Sequence, residues 1–242
     1  MDTPASPLLL QPLWDALIRV AGAATIGHPL FFIVPIMTTV VVAGLAFSCA
    51  DAFVTKRLPF APTVRYLAVT LPGYLVVFAV LQWLPMPLRF PVPVRAPTLL
   101  AFARDLVLCL IVGDVLSYWW HRLEHGSRLV FRRVHYVHHK VTRPLTVWSG
   151  FYVHPVESLG VFITFYIYPF VFRVHPMVFV TYAALNTFIT MVTHCGYDLW
   201  WYPKSVFASA PMHEHHHCGP KPPNFCVLLT LSDKLFGTFK PS

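Results

Sequence analysis

The chain has 242 residues, 56% of them hydrophobic and only 12% charged, with a formal net charge of +8 and a mean hydropathy of +0.60. Soluble domains carry about 25% charged residues, so this composition excludes an ordinary soluble globule and points to a membrane domain. The basic balance fits an anionic lipid surface; no basic arm, zinc-finger spacing or RNA-recognition signature occurs, which argues against a nucleic-acid partner.

Residues 1–27 lack a basic region ahead of their apolar stretch, and Asp15 and Arg19 interrupt it, so no cleavable signal peptide is expected. Pro29–Ala50 is an uncharged run of 22 residues and Tyr66–Pro85 a second of 20. Either is long enough for about 30 Å of hydrocarbon. Pro72 and Gly73 are expected to kink the second, which membrane helices tolerate. A third apolar stretch, Pro97–Trp120, carries Arg104 and Asp105 near one end and Asp114 deeper. A carboxylate that deep needs a partner. Positions 114, 118, 121 and 125 share one helical stripe, so Asp114 is expected to point the same way as His121 and His125. The region Ser158–Val192 is broken by Pro169, Arg173, His175 and Pro176, which predicts two short helices, either a hairpin or one kinked unit.

The expected fold is therefore an all-α integral membrane protein. It should have about four transmembrane or re-entrant helices and a histidine-rich helical cap. With no repeat or low-complexity linker, residues 1–242 read as a single membrane domain, with 1–100 supplying the N-terminal transmembrane helices. Segments 51–65, 121–155 and 194–242 hold 13 of the 18 basic residues and fall on one side by crossing order, so that side is expected to be cytoplasmic. The five cysteines are odd in number and form no CxxC, so reduced thiols are expected in place of a disulfide framework.

Eight of the thirteen histidines form three clusters on that side: His121/His125 as HxxxH, then His135/His138/His139 and His213/His216/His217, each as HxxHH. Residues three and four apart are neighbours across a helical turn, and imidazole is a ligand for Zn, Cu, Fe and Ni. So many nitrogens exceed the needs of one ion, and two ions are expected. His194 and His154 emerge at the same face and are recruitable as further ligands. Asp114, Glu157 and Asp198 stand close enough in sequence to accept the second ring N–H of a ligand, as do Glu124 and Glu214. His28, His175 and His215 are set aside: the first two are isolated, and His215 points away from His213 on a helix. HxxEH, with Glu124 as general base, also matches an inverted zinc-peptidase motif, but that reading leaves both HxxHH clusters unexplained. A metal transporter would place its site inside the bilayer on broken helices.

The ordered clusters resemble the membrane-bound fatty acid hydroxylase / sterol desaturase superfamily. His154-Pro-Val-Glu157 and His194-Cys-Gly-Tyr-Asp198 look like segments of its C-4 methylsterol oxidase branch. Asp233-Lys-Leu-Phe-Gly237-Thr238 resembles its D-x-x-FGT ending. The chain departs from the family pattern at Asn224-Phe225-Cys226, where glycine usually follows the aromatic residue, and at Thr190, where some members carry a histidine.

The resemblance implies that residues 101–242 form a catalytic region holding two non-haem iron ions. The metal ligands would be His121, His125, His135, His138, His139, His194, His213, His216 and His217, with His154 as a tenth. The implied reaction is O₂-dependent oxidation of a C–H bond in a membrane lipid, such as a sterol or fatty acyl chain, by hydroxylation or desaturation. No haem domain, flavin fingerprint or Fe–S cysteine spacing is present in the sequence. A separate electron donor is thus implied: a cytochrome b5-like protein, a ferredoxin or a reductase.

Overall fold

The computed structural model describes residues 9–28, 30–54, 68, 91–218 and 222–241. The described chain is helical, and its sole β feature is an isolated bridge between Phe207 and Leu229. The principal helices are α1 (Gln11–Ala21), α2 (Ile33–Phe53), α3 (Leu99–Gly126), α4 (128–139), α5 (Pro155–Val171), α6 (Pro176–His194), α7 (Ala210–His216) and α8 (Leu231–Leu235).

Sequence signals set the ends of these helices. Thr98 caps α3 by accepting from the Ala101 amide. Pro155 and Pro176 open α5 and α6, where the missing N–H costs nothing. In each case the preceding histidine, His154 or His175, caps the helix through its ring nitrogen. Residues 172–175 turn the chain between α5 and α6, so the expected break at Pro169–Pro176 yields two helices. After α6, Gly196 takes φ +75° with its α-carbon against the Leu145 carbonyl, a place where a side chain cannot fit.

α3, α5 and α6 pack together, and α2 lies along α6. Their core contains Cys109, Phe165, Tyr166, Val178, Tyr182 and Ile189. Phe32 enters it at the foot of α2, its ring 5.4–5.5 Å from Phe162, Tyr166, Phe170 and Phe179. The indole of Trp148 donates to Ser48 and the Tyr197 hydroxyl donates to Asp51, tying α2 to the loops beside the histidines. Val34, Val41, Val42 and Leu45 of α2 are exposed, an outward apolar face suited to lipid.

Two of the described helices, α2 and α6, are long and apolar enough to cross a membrane, fewer than the four or so expected. The second expected span, 66–85, lies outside the described residues except for Ala68. The third became α3, which is 28 residues long and continues past Trp120 through the first histidine pair. It carries Arg104, Asp105, Asp114, Arg122 and Glu124. α5 has 17 residues and is short for a full crossing.

Candidate metal centre

Helices α3, α4, α6 and α7, with His217 just past the end of α7, bring nine histidines together in two adjoining groups. One holds His121, His125, His135, His139 and His216; the other holds His138, His194, His213 and His217. Within each group the ligand atoms lie within 4.8 Å of one another.

Helix geometry explains the sorting. His121 and His125, four apart on α3, fall on one face and join the five-histidine group. In each HxxHH triplet the first and last residues share a face, while the middle one is turned about 100° from the last. His135 and His139 therefore go to the five-histidine group and His138 to the other. The third triplet, on α7, is reversed: His213 and His217 go to the four-histidine group and His216 to the five. Each triplet straddles both groups. α4 contains a π-helical turn at Phe131–His135, a local rewinding often found at functional sites. α6 delivers His194 from its last turn.

The second ring nitrogen of most of these histidines is committed. His121 Nδ1 donates to the Phe225 carbonyl at 2.6 Å, His216 Nδ1 to Pro223 at 2.8 Å and His217 Nδ1 to Val141 at 2.9 Å. His194 Nδ1 donates to Thr190 at 2.8 Å, and His135 Nδ1 to the Glu157 carboxylate at 2.8 Å. A carbonyl can only accept, so these contacts place the proton on Nδ1 and leave Nε2 as a bare lone pair.

Those lone pairs face one another. His121 Nε2 stands 3.1 Å from His135 Nε2, with the proton of each ring already used elsewhere. His135 Nε2 is also 3.0 Å from the Nε2 atoms of His125 and His139, and His216 Nε2 is 3.0 Å from that of His125. In the second group His194 Nε2 is buried without a hydrogen-bond partner, as are the Nδ1 atoms of His138 and His213. Converging unprotonated nitrogens repel unless a cation lies between them. Ligands at right angles on an ion about 2.1 Å away stand about 3.0 Å apart, whereas tetrahedral ones stand about 3.4 Å apart. The spacing in the five-histidine group thus fits a cation with more than four ligands, and the residues present fit a metal pair.

Electrostatics keep the donors neutral. Burial, reinforced by the neighbouring imidazoles, pushes His217 down to about 2. Burial, with His121 nearby, pushes His139 to about 3. His138, His213 and His216 are held well below the ordinary histidine range for the same reasons, burial first. A neutral ring is the form that binds metal.

The partners expected around the histidines divide. Glu157 is buried and takes His135, with Glu124 Oε2 3.6 Å from the same nitrogen. Glu124 therefore stands beside the site, as expected of a carboxylate near the histidines. The HxxEH motif is not a two-histidine site here, since its histidines share their group with three others. Asp114 is fully buried but contacts no histidine. It accepts from the Leu229 amide, the Ser232 amide and hydroxyl, and the Cys226 thiol. It thereby anchors the segment whose Phe225 carbonyl orients His121. Asp233 does the same from the other side, accepting the Phe225 and Cys226 amides at 2.8 Å. Gly237 turns the chain at φ +70°, and Thr238 donates to Asp233 and meets the Tyr118 hydroxyl. The D-x-x-FGT ending is thus a clamp on the loop behind His121.

Asp198, expected to orient a ligand, is 61% exposed and pairs with Lys204 instead. His154, expected as a tenth ligand, stands in neither group because its ring is used as the α5 cap. His28 is exposed with its Nδ1 accepting from Leu30, His175 caps α6, and His215 is half-buried outside both groups.

Below the histidines an apolar cavity opens between α2, α5 and α6, walled by Phe32, Ile36, Phe162, Phe165 and Tyr166. A smaller cavity is lined by His121, His135, His138, His194, His213 and the two glutamates. The two share Gly150, Val153, Val161, Phe165 and Thr190 as wall, so the apolar space leads to the histidines.

Comparison with known proteins agrees with this geometry. The chain is 30% identical to a cholesterol 25-hydroxylase-like protein of Danio rerio, over 95% of this chain and 97% of that protein. It is 30% identical to a cholesterol 25-hydroxylase of Mus musculus, over 98% and 84% respectively. It is 31% identical to methylsterol monooxygenase 1-1 of Arabidopsis thaliana, over 60% and 49%. No solved structure matches the chain. The fatty acid hydroxylase family model matches residues 106–238, from within α3 to the end of the clamp, and the chain belongs to that family.

Proposed function

We propose that this protein is an integral membrane oxygenase that uses two non-haem irons and O₂ to hydroxylate a C–H bond of a membrane lipid, a sterol on the precedent of its relatives. The observation that carries the reading is the pair of all-histidine groups at the head of an apolar cavity. His121, His125, His135, His139 and His216 would hold one iron and His138, His194, His213 and His217 the other. Bound there, the iron pair would supply O₂ activation and the oxidising power for the C–H bond.

The chain's own residues do the rest. Phe225, Pro223, Val141, Thr190 and Glu157 hold the rings of His121, His216, His217, His194 and His135 on the tautomer that turns Nε2 inward. The aromatic and aliphatic walls exclude water and align the lipid beneath the histidines, which limits side reactions. Residues 1–242 act as one membrane domain, with the chemistry in 101–242. Basic-residue bias supports a cytoplasmic position for the histidine groups, where a separate cytochrome b5-like protein, ferredoxin or reductase would deliver electrons.

The test is metal analysis and turnover of purified protein. Close to two irons per chain, with O₂-dependent gain of one oxygen by a lipid, supports the reading. One zinc per chain, or no oxidised product from iron-loaded protein with a competent reductant and a total lipid extract, overturns it.

A further inference from the structure

Two buried polar atoms in the wall of the apolar cavity lack a hydrogen-bond partner: the Ser158 hydroxyl, next to Glu157 at the histidine end, and the Asn186 amide oxygen, farther down. Asn186 lies on α6, is 3% exposed, and lines the cavity with an amide oxygen that is buried and has no hydrogen-bond partner. The Tyr166 hydroxyl reaches across from α5 and is hydrogen-bonded to the Asn186 side chain, which leaves the amide oxygen as the open position. Thr187, next along, donates its own hydroxyl to the Ala183 carbonyl. An unpaired amide oxygen in an apolar wall is unfavourable in the protein by itself. It becomes favourable when a ligand brings the missing partner.

Position fixes which part of a ligand that is. Asn186, Thr190 and His194 follow one another at four-residue spacing along one face of α6. Thr190 is shared by both cavities and His194 belongs to the four-histidine group. Asn186 therefore sits two turns, about 12 Å, below the histidines. A group bound there is the far end of a molecule whose other end reaches the metal centre. The intervening wall, Val161, Phe162 and Phe165, is apolar. A hydroxyl both donates and accepts, so it satisfies the amide and can also meet the neighbouring phenol.

We propose that Asn186, with Tyr166 beside it, binds the hydroxyl of a lipid alcohol and so sets which carbon lies under the histidines. Substrate selection would then depend on the distance from hydroxyl to oxidised carbon, not on apolar bulk alone. The inference rests on the oxygenase reading for its outcome, but the recognition itself is a binding property.

The test uses full-length, iron-loaded protein in detergent or vesicles and two probe pairs: cholesterol against cholest-5-ene, and hexadecanol against hexadecane. Saturable binding is measured for wild type, Asn186→Leu and Phe162→Leu. Wild type should prefer the alcohol of at least one pair by about tenfold, because a site built for a hydroxyl rejects the analogue that lacks it. Asn186→Leu should bring that preference to within about twofold, and Phe162→Leu, which changes shape but no polar group, should retain it. No preference in wild type for either pair, or an undiminished preference in Asn186→Leu, overturns the proposal. Iron content and oxidation of total lipid extract, read on the same wild-type sample, judge the oxygenase reading separately.

Discussion

Glu157 offers the sharpest test of how the metal centre is supported. Its Oε1 accepts from His135 Nδ1 at 2.8 Å, and both side chains are almost wholly buried. His135 is the hub of the five-histidine group, its Nε2 lying within 3.1 Å of His121, His125 and His139. Removing the carboxylate leaves a buried N–H unsatisfied and frees the ring to turn. Loss of such a supporting partner costs about 10–100-fold in metal affinity, or about 1.4–2.8 kcal/mol. Glu157→Gln keeps an acceptor of the same reach and should fall near the lower limit. Glu157→Ala should fall near the upper one. Glu124 stands 3.6 Å from the same nitrogen and can partly replace the lost partner. The double variant Glu124→Ala/Glu157→Ala should therefore lose more affinity than Glu157→Ala. The assay is competition for iron against a chelator of known affinity, with circular dichroism to confirm that the helices remain. Unchanged iron affinity in Glu157→Ala, with His135 still required, would refute the reasoning.

Other consequences follow from the sorting and the packing. His213→Ala or His217→Ala should lower the iron content from two per chain towards one, because each removes one of four ligands from the smaller group while the five-histidine group is intact. His216→Ala removes one of five and should weaken the other site instead; equal loss from both sites in all three variants would contradict the assignment. A methyl group at Gly150 would lie 2.8 Å from His194 Nδ1 and 2.9 Å from its Cγ, so Gly150→Ala should displace that ring and deplete the smaller site selectively, as judged by metal analysis. The metal-free protein should be acid-sensitive. Burial holds His139 down to about 3 and His217 to about 2, against about 6.5 for a free imidazole, so between those limits the unfolded chain binds protons that the native one does not. Stability should therefore be full above about pH 7 and fall as pH drops, by up to about 1.4 kcal/mol per pH unit for each such histidine. A thermal midpoint that stays flat from pH 7.5 to 5 would contradict this.

Much of the centre was legible in one dimension because helical spacing converts directly into direction. HxxxH can feed one site and HxxHH can straddle two, and that is how His121 through His217 divide. Helix starts were equally local: a proline with the residue before it sets the ends of α5 and α6. What spacing could not show is which side chains meet across the chain. Asp114 shares a stripe with His121, yet its carboxylate is taken by amides from residues 229 and 232, more than a hundred positions away. Glu124 and Glu157 converge on one imidazole only because α3 and α5 pack against α4. His154 lies near the clusters in sequence, but its Nδ1 caps α5 and its ring stands in neither histidine group. Composition and periodicity thus pointed to a helical membrane protein and to the eight clustered histidines that converge in it. The tertiary structure alone decided which carboxylates orient them and where the cavity runs, because those depend on contacts between segments that the sequence holds far apart.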